Sequence, residues 1–230
     1  MRNKLFHTAI VLFYFAITAR AQQEPSAAAV ASRVSSRAAW QPDEQALRQA
    51  REACQTLAFP GLGECFVKQM QKSGASPEAI AFSRGLHDEG YLQKFEETGR
   101  VDIAWVTYPF RANENNGCLL VNGTPPQLDP DNLSQLPRRQ LNSDAAWKAL
   151  LAKHPRATLW SGDRSGETGV RAEPRSAGQR FVVDYRVLDG CHACARLGIV
   201  HYAFDFDANG KFMRSVYLDV QANDADGRAP

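Results

Sequence analysis

The chain has 230 residues, of which 27 are Lys or Arg and 25 are Asp or Glu, for a formal net charge of +2. Hydrophobic residues make up 44% and charged residues 23%, the balance of a globular protein with a real core, which excludes a disordered or fibrous chain. Near neutrality without a clustered basic stretch gives no reason to expect nucleic acid as a partner.

At the N-terminus, Arg2 and Lys4 precede an unbroken apolar run over residues 9–17 (AIVLFYFAI), and Ala19-Arg20-Ala21 follows. A basic start, an apolar centre and a small-residue site in that order predict a signal peptide over residues 1–21, cleaved after Ala21. Crossing a bilayer takes roughly 20 apolar residues, about twice this run, so no membrane span is expected once the peptide is removed. Gln22 stands where a lipid-anchored protein would carry Cys. The leader holds three of the 27 basic residues and none of the 25 acidic ones, so its loss takes the net charge from +2 to −1. The expected location is periplasmic or secreted.

Residues 22–41 are rich in Ala, Ser, Gln and Arg without a sustained apolar period, and are expected as a flexible lead-in. Residues 43–57 predict a helix capped by Asp43, with Leu47, Ala50 and Cys54 in phase. The break at Pro60-Gly61-Leu62-Gly63 ends it, and a second helix is expected over 64–72. Ser76-Pro77-Glu78 starts a third through a cap and a first-turn proline, and Ile80, Phe82, Leu86 and Tyr91 carry it towards residue 97, before Gly99.

The period then changes. Residues 101–108 (VDIAWVTY) and 118–121 (CLLV) are β-branched and aromatic and predict two paired strands. Residues 124–139 hold four prolines and read as a linker or covering loop, the one candidate domain boundary. A helix over 144–154 (DAAWKALLAKH), capped by Asn142 or Ser143, puts Trp147, Leu150 and Leu151 on one face before Pro155 stops it. After a Gly-rich, charged loop, strands are expected over 181–188, 198–206 and 212–220, the last entered through an Asn209-Gly210 turn. Residues 223–230 are a polar tail. The expected organisation is α+β: a helical portion with a hairpin over 42–123, then an antiparallel sheet with a flanking helix over 140–222.

In an oxidising compartment, five cysteines read first as disulfides with one left over. Cys54 and Cys65 flank the turn between the first two helices. Cys191 and Cys194 can close a small ring between two strands, which leaves Cys118 as a buried thiol. The Cys191-His192-Ala193-Cys194 cluster admits four readings. Thioredoxin-like redox work needs the first Cys at a helix N-terminus, and the residues that follow are strand-like. Haem attachment needs His after the second Cys, where Ala195 stands. Zinc needs four ligands, and only His192 and His201 lie near the two thiols. A disulfide-closed binding loop is the favoured reading.

Other patterns carry less chemistry. The run from Asp205 to Gly210 matches the first half of a calcium loop, but Val216 occupies the position of the bidentate Glu, so a hairpin turn is expected. His87, His154 and His201 are isolated. Asp129 and Asp131 fall on a segment expected to be solvated, and Ser161-Gly162-Asp163 is an ordinary turn sequence. No nucleophile stands beside a base, so no catalytic residue, cofactor or metal is expected.

The C-terminal segment resembles the periplasmic inhibitors of vertebrate-type lysozyme. A helix (AAWKALLAKHPRATLW) is followed by a strand ending in YRVLDGC, a His-bearing Cys-to-Cys loop, and a strand and hairpin (IVHYAFDFDANGKFMRSVY). The resemblance covers about the last ninety residues and implies an antiparallel sheet with flanking helices. In that family the loop carries its His into the lysozyme cleft, where it meets the catalytic carboxylates. The matching positions are Cys191, His192 and Cys194, with Trp147, His154 and Trp160 on the preceding helix and its exit. The loop here has two residues between its cysteines where the family has four, and lacks the family's Lys, Pro and Asp. The resemblance implies a binding protein with lysozyme as its protein partner. Two alternatives stand beside it: an envelope binding or assembly module that uses Trp105, Tyr108, Trp147 and Trp160, and a thiol-disulfide oxidoreductase that uses Cys191 and Cys194.

Overall fold

In a computed structural model of the protein, the described residues are 33–223 apart from 59, 88, 114, 163 and 165–168. The expected signal peptide, the first part of the expected lead-in and the tail beyond residue 223 lie outside them. No helix among the described residues is long and apolar enough to cross a membrane.

Asp43 starts α1 (Glu44–Cys54) by accepting the Ala46 N–H at 2.7 Å. α2 (Gly61–Lys72) opens at Gly61, ahead of the expected start, and buries Leu62, Phe66, Val67 and Met70. α3 (Pro77–Gly85) begins as its sequence requires, with the Ser76 hydroxyl accepting the Ala79 N–H at 3.0 Å. It stops far short of residue 97. His87 adopts a left-handed φ of 57°, and a Cβ on Gly90 would stand 2.7 Å from the Tyr108 ring, so the chain turns tightly here. The residues expected as the last helical turns form strand β1 (Tyr91–Glu96) instead. Tyr91, in phase with Ile80 on a helical count, packs edge-on to Trp40 at 5.0 Å.

Residues 33–41, expected to be flexible, are tied down. Trp40 is buried and its N–H donates to Leu92 O at 2.9 Å. The Asn122 side chain accepts the Val34 N–H and donates to the Val34 carbonyl, each at 2.8 Å, so one amide side chain imitates a strand partner.

β1 pairs antiparallel with β2 (Asp102–Thr107), β2 with β3 (Asn116–Val121), and β3 with the short β4 (Gln127–Leu128). Alternation sends Ile103 and Trp105 of β2 into one core and Ala104 and Val106 into another beside Phe82 and Leu86 of the α3 region. That two-sided burial explains the continuous apolar character of residues 101–108.

The second sheet runs in the order β5 (Ala157–Trp160), β7 (Gly178–Asp189), β8 (Arg196–Phe206), β9 (Phe212–Ala222), with β6 (Val170–Arg175) also paired to β7. β5 pairs with residues 186–189 of β7 and β6 with residues 178–183, so the two lie end to end along one edge. Neither was expected from the charged sequence around them. The inward faces of β7 and β8 bring Phe181, Val183, Tyr185, Val200, Tyr202 and Phe204 against Trp105 and Leu120 of the first sheet.

Residues 124–139 are not a linker between domains. Leu128 and Leu136 are buried in the same core as both sheets. The Tyr185 hydroxyl donates to Pro130 O at 2.6 Å and the Tyr202 hydroxyl to Pro137 O at 3.2 Å. Thr124 exchanges backbone hydrogen bonds of 2.8 Å with Gly210 and Phe212. The segment covers the core, and all described residues fall in one compact unit. It runs into α4 (Arg138–Ser143), so the cap of α5 (Ala145–Lys153) is Asp144 and not Asn142 or Ser143; Asp144 accepts the Ala146 and Trp147 N–H groups at 2.8 and 3.1 Å. The fold is α+β, with helices first and antiparallel sheets after them.

Candidate functional site

The β7–β8 hairpin ends in residues 190–195, the segment singled out from sequence. Gly190 turns the chain with φ of 83°, and a disulfide joins Cys191 to Cys194. Inside the ring, the Cys194 N–H donates to Cys191 O at 3.1 Å, and at the stem the Asp189 N–H donates to Ala195 O at 3.1 Å. Covalent closure and these two bonds leave the tip few alternative conformations.

Cys191 and Ala193 are exposed, while His192 and Cys194 are half-buried. The His192 ring lies edge-on to Trp160 of β5, with centroids 5.6 Å apart and planes at 79°. The imidazole is therefore held against the sheet edge instead of projecting freely. At the stem, Asp189 faces His154 Nδ1 at 3.8 Å and Arg156 Nε at 3.7 Å, which ties the tip to the α5–β5 corner. Arg156 is 77% exposed, and Arg196 on the far side of the ring is also exposed, so donors outnumber acceptors at this end. Such a surface suits carboxylates.

The remaining predicted residues fall elsewhere. Cys54 and Cys65 form a second disulfide that ties the end of α1 to α2. Cys191 is followed by strand β8 and not by a helix N-terminus, so the dipole that activates a redox thiol is absent from its position. Trp105, Tyr108 and Trp147 are buried and Trp160 is half-covered, so the four aromatics do not make an exposed patch. Asp207 accepts the Asn209 and Lys211 N–H groups, both at 2.9 Å, and thereby shapes the hairpin turn. His201 sits on β8 between Asp219, 2.7 Å from Nδ1, and Asp184, 3.4 Å from Nε2. Among the described residues no group of three His, Cys, Asp or Glu is arranged to hold a metal ion.

Sequence reasoning missed a charged side chain that is fully buried. The Arg164 side chain is 0% exposed; it donates to Asp131 Oδ1 at 2.7 Å, Gly169 O at 2.9 Å and Asp184 O at 3.2 Å. The guanidinium fills the gap along β7 between the ends of β5 and β6. Asp131, expected to be solvated, is its counter-ion. Cys118 lies nearby on β3, 1% exposed beside a cavity of about 30 Å³ that Tyr108, Asp131 and Ser161 also line. Burial pushes the Cys118 thiol far above its ordinary range, and the opposing pull of Arg164 does not offset this.

Comparison of the chain with known protein families, curated sequences and solved structures yields no match.

Proposed function

We propose that the protein is an exported, non-catalytic binding protein, and that its contact element is the disulfide-closed tip of the β7–β8 hairpin. The observation that carries this reading is the position of His192, on a turn closed by Cys191 and Cys194 and buttressed by Trp160. An imidazole ordered before contact loses less freedom on binding, a saving of about 0.5–1.5 kcal/mol per side chain. With Arg156 and Arg196 beside it, the tip presents donors to an acidic surface. The resemblance to lysozyme inhibitors makes the carboxylate-lined cleft of a lysozyme-like muramidase the proposed target.

The test is a lytic assay, in which the oxidised protein is titrated against hen-type and goose-type lysozymes on a cell-wall substrate. Near-stoichiometric inhibition that His192→Ala weakens by about tenfold, at unchanged melting temperature, is the expected result. Full inhibition by His192→Ala would remove the imidazole from the contact, and no inhibition of either enzyme would remove lysozyme as the target.

A further inference from the structure

The opposite end of the second sheet carries a concentration of positive charge that the hairpin tip does not use. Arg180 of β7, Asp205 of β8 and Arg214 of β9 are neighbours in register on the outward face, and Arg175 ends β6 alongside. The Asp205 side chain, 7% exposed, receives four donors: Arg180 Nε at 2.7 Å and Arg175 Nη1 at 3.1 Å on Oδ1, and Arg180 Nη2 at 3.0 Å and Arg214 Nε at 3.3 Å on Oδ2. Four donors use up the acceptor capacity of a carboxylate.

Arg175 and Arg214 are 44% and 68% exposed, and each gives Asp205 a single N–H. A guanidinium carries five, and among the described residues no second acceptor meets either group. Glu173, opposite Arg180, is engaged by Arg171 at 3.5 Å. Arg171 also meets Asp184 Oδ1 at 3.3 Å, so the four arginines face three carboxylates, an excess of +1 concentrated on the exposed Arg175 and Arg214.

The geometry points to an anion site here, with Arg175 and Arg214 closing on a phosphate group and the Arg180–Asp205 pair holding the floor. Asp205 orients both free forks before any ligand arrives. A guanidinium fork matches two oxygens of a phosphate, and two forks on either side of Asp205 offer more donors than one carboxylate can accept. The site is separate from the hairpin tip, because the nine residues from Arg180 to Asp189 span roughly 30 Å of strand.

The probe is sodium tripolyphosphate, titrated calorimetrically into the full secreted chain at low and at physiological salt. Binding that weakens with salt is expected, with Arg175→Ala/Arg214→Ala lowering affinity by about tenfold or more. Asp205 keeps its two-point contact with Arg180 in that variant, and an unchanged melting temperature verifies the fold. Arg48→Ala/Arg84→Ala removes the same charge from exposed helical positions and should leave affinity within about twofold. Absence of binding, wild-type affinity in the patch variant, or equal loss in the control would each overturn the site. Co-sedimentation with phosphatidylglycerol but not phosphatidylcholine vesicles, lost in the patch variant, would assign the phosphate to a lipid headgroup. Tripolyphosphate binding without co-sedimentation would assign it to a soluble molecule.

Discussion

Replacing Arg164 by Met removes a guanidinium that is fully buried and keeps most of its volume. The change leaves Asp131, 18% exposed, without its counter-ion, and leaves the Gly169 and Asp184 carbonyls without the donor that closed the gap between β5 and β6. Breaking a buried pair in this way costs about 3–5 kcal/mol, and the partial exposure of Asp131 places the expected value near the lower limit, about 3 kcal/mol. For a domain of this size that corresponds to a fall in melting temperature of roughly 6–12 °C. Urea unfolding followed by tryptophan fluorescence reads the change directly. Asp131→Asn and the double variant complete a cycle, in which the double is expected to cost less than the sum of the singles by about 1–3 kcal/mol. A loss below about 1 kcal/mol for Arg164→Met, or strict additivity, would refute the assignment of Arg164 as the charged plug of the β7 edge.

Four further outcomes follow from the geometry. The hydrogen bonds from Arg180 hold the Asp205 carboxyl below its ordinary value, so this group stabilises the fold above about pH 4 and its contribution is lost as pH falls through the lowered native value. Asp205→Asn should lower stability at pH 7 and flatten the decline below about pH 4; an acid unfolding profile parallel to wild type would contradict this. Asp144→Ala strips the cap of α5 and should cost about 0.5–2 kcal/mol, measured by thermal denaturation, with Asp144→Ser recovering most of it. Changing both Cys54 and Cys65 to Ser opens a loop with a sequence separation of 11 and should cost about 2–3 kcal/mol, whereas Cys118→Ser should leave the inhibition assay unaffected. Loss of inhibition in Cys118→Ser at an unchanged melting temperature would restore the thiol as a working group.

Local chemistry made much of the chain legible. Asp43 and Ser76-Pro77 mark helix starts because a short polar side chain satisfies N–H groups that no helix can satisfy for itself, and this needs no distant partner. Asn209-Gly210 likewise marks a hairpin, with Gly210 at φ of 79°. Both disulfides join cysteines close in sequence, which made the pairs readable. The α+β class followed from the order of these elements.

Where the deciding partner is distant in sequence, no local signal existed. α3 ends at Gly85, the chain turns through His87 and passes under Tyr108 at Gly90, and β1 forms because β2 offers it a ladder. The proline-rich stretch became a cover and not a linker because Tyr185 and Tyr202, buried in the second sheet, need acceptors that the Pro130 and Pro137 carbonyls provide. At the candidate site, sequence alone determined the ring from Cys191 to Cys194 and the histidine within it. Only the tertiary structure decided that His192 rests against Trp160, that Asp189 anchors the stem, and that Arg164 fills the gap beside them. Those contacts cross strands far apart in the chain, and a side chain's partners are set by the register of the sheet that carries it.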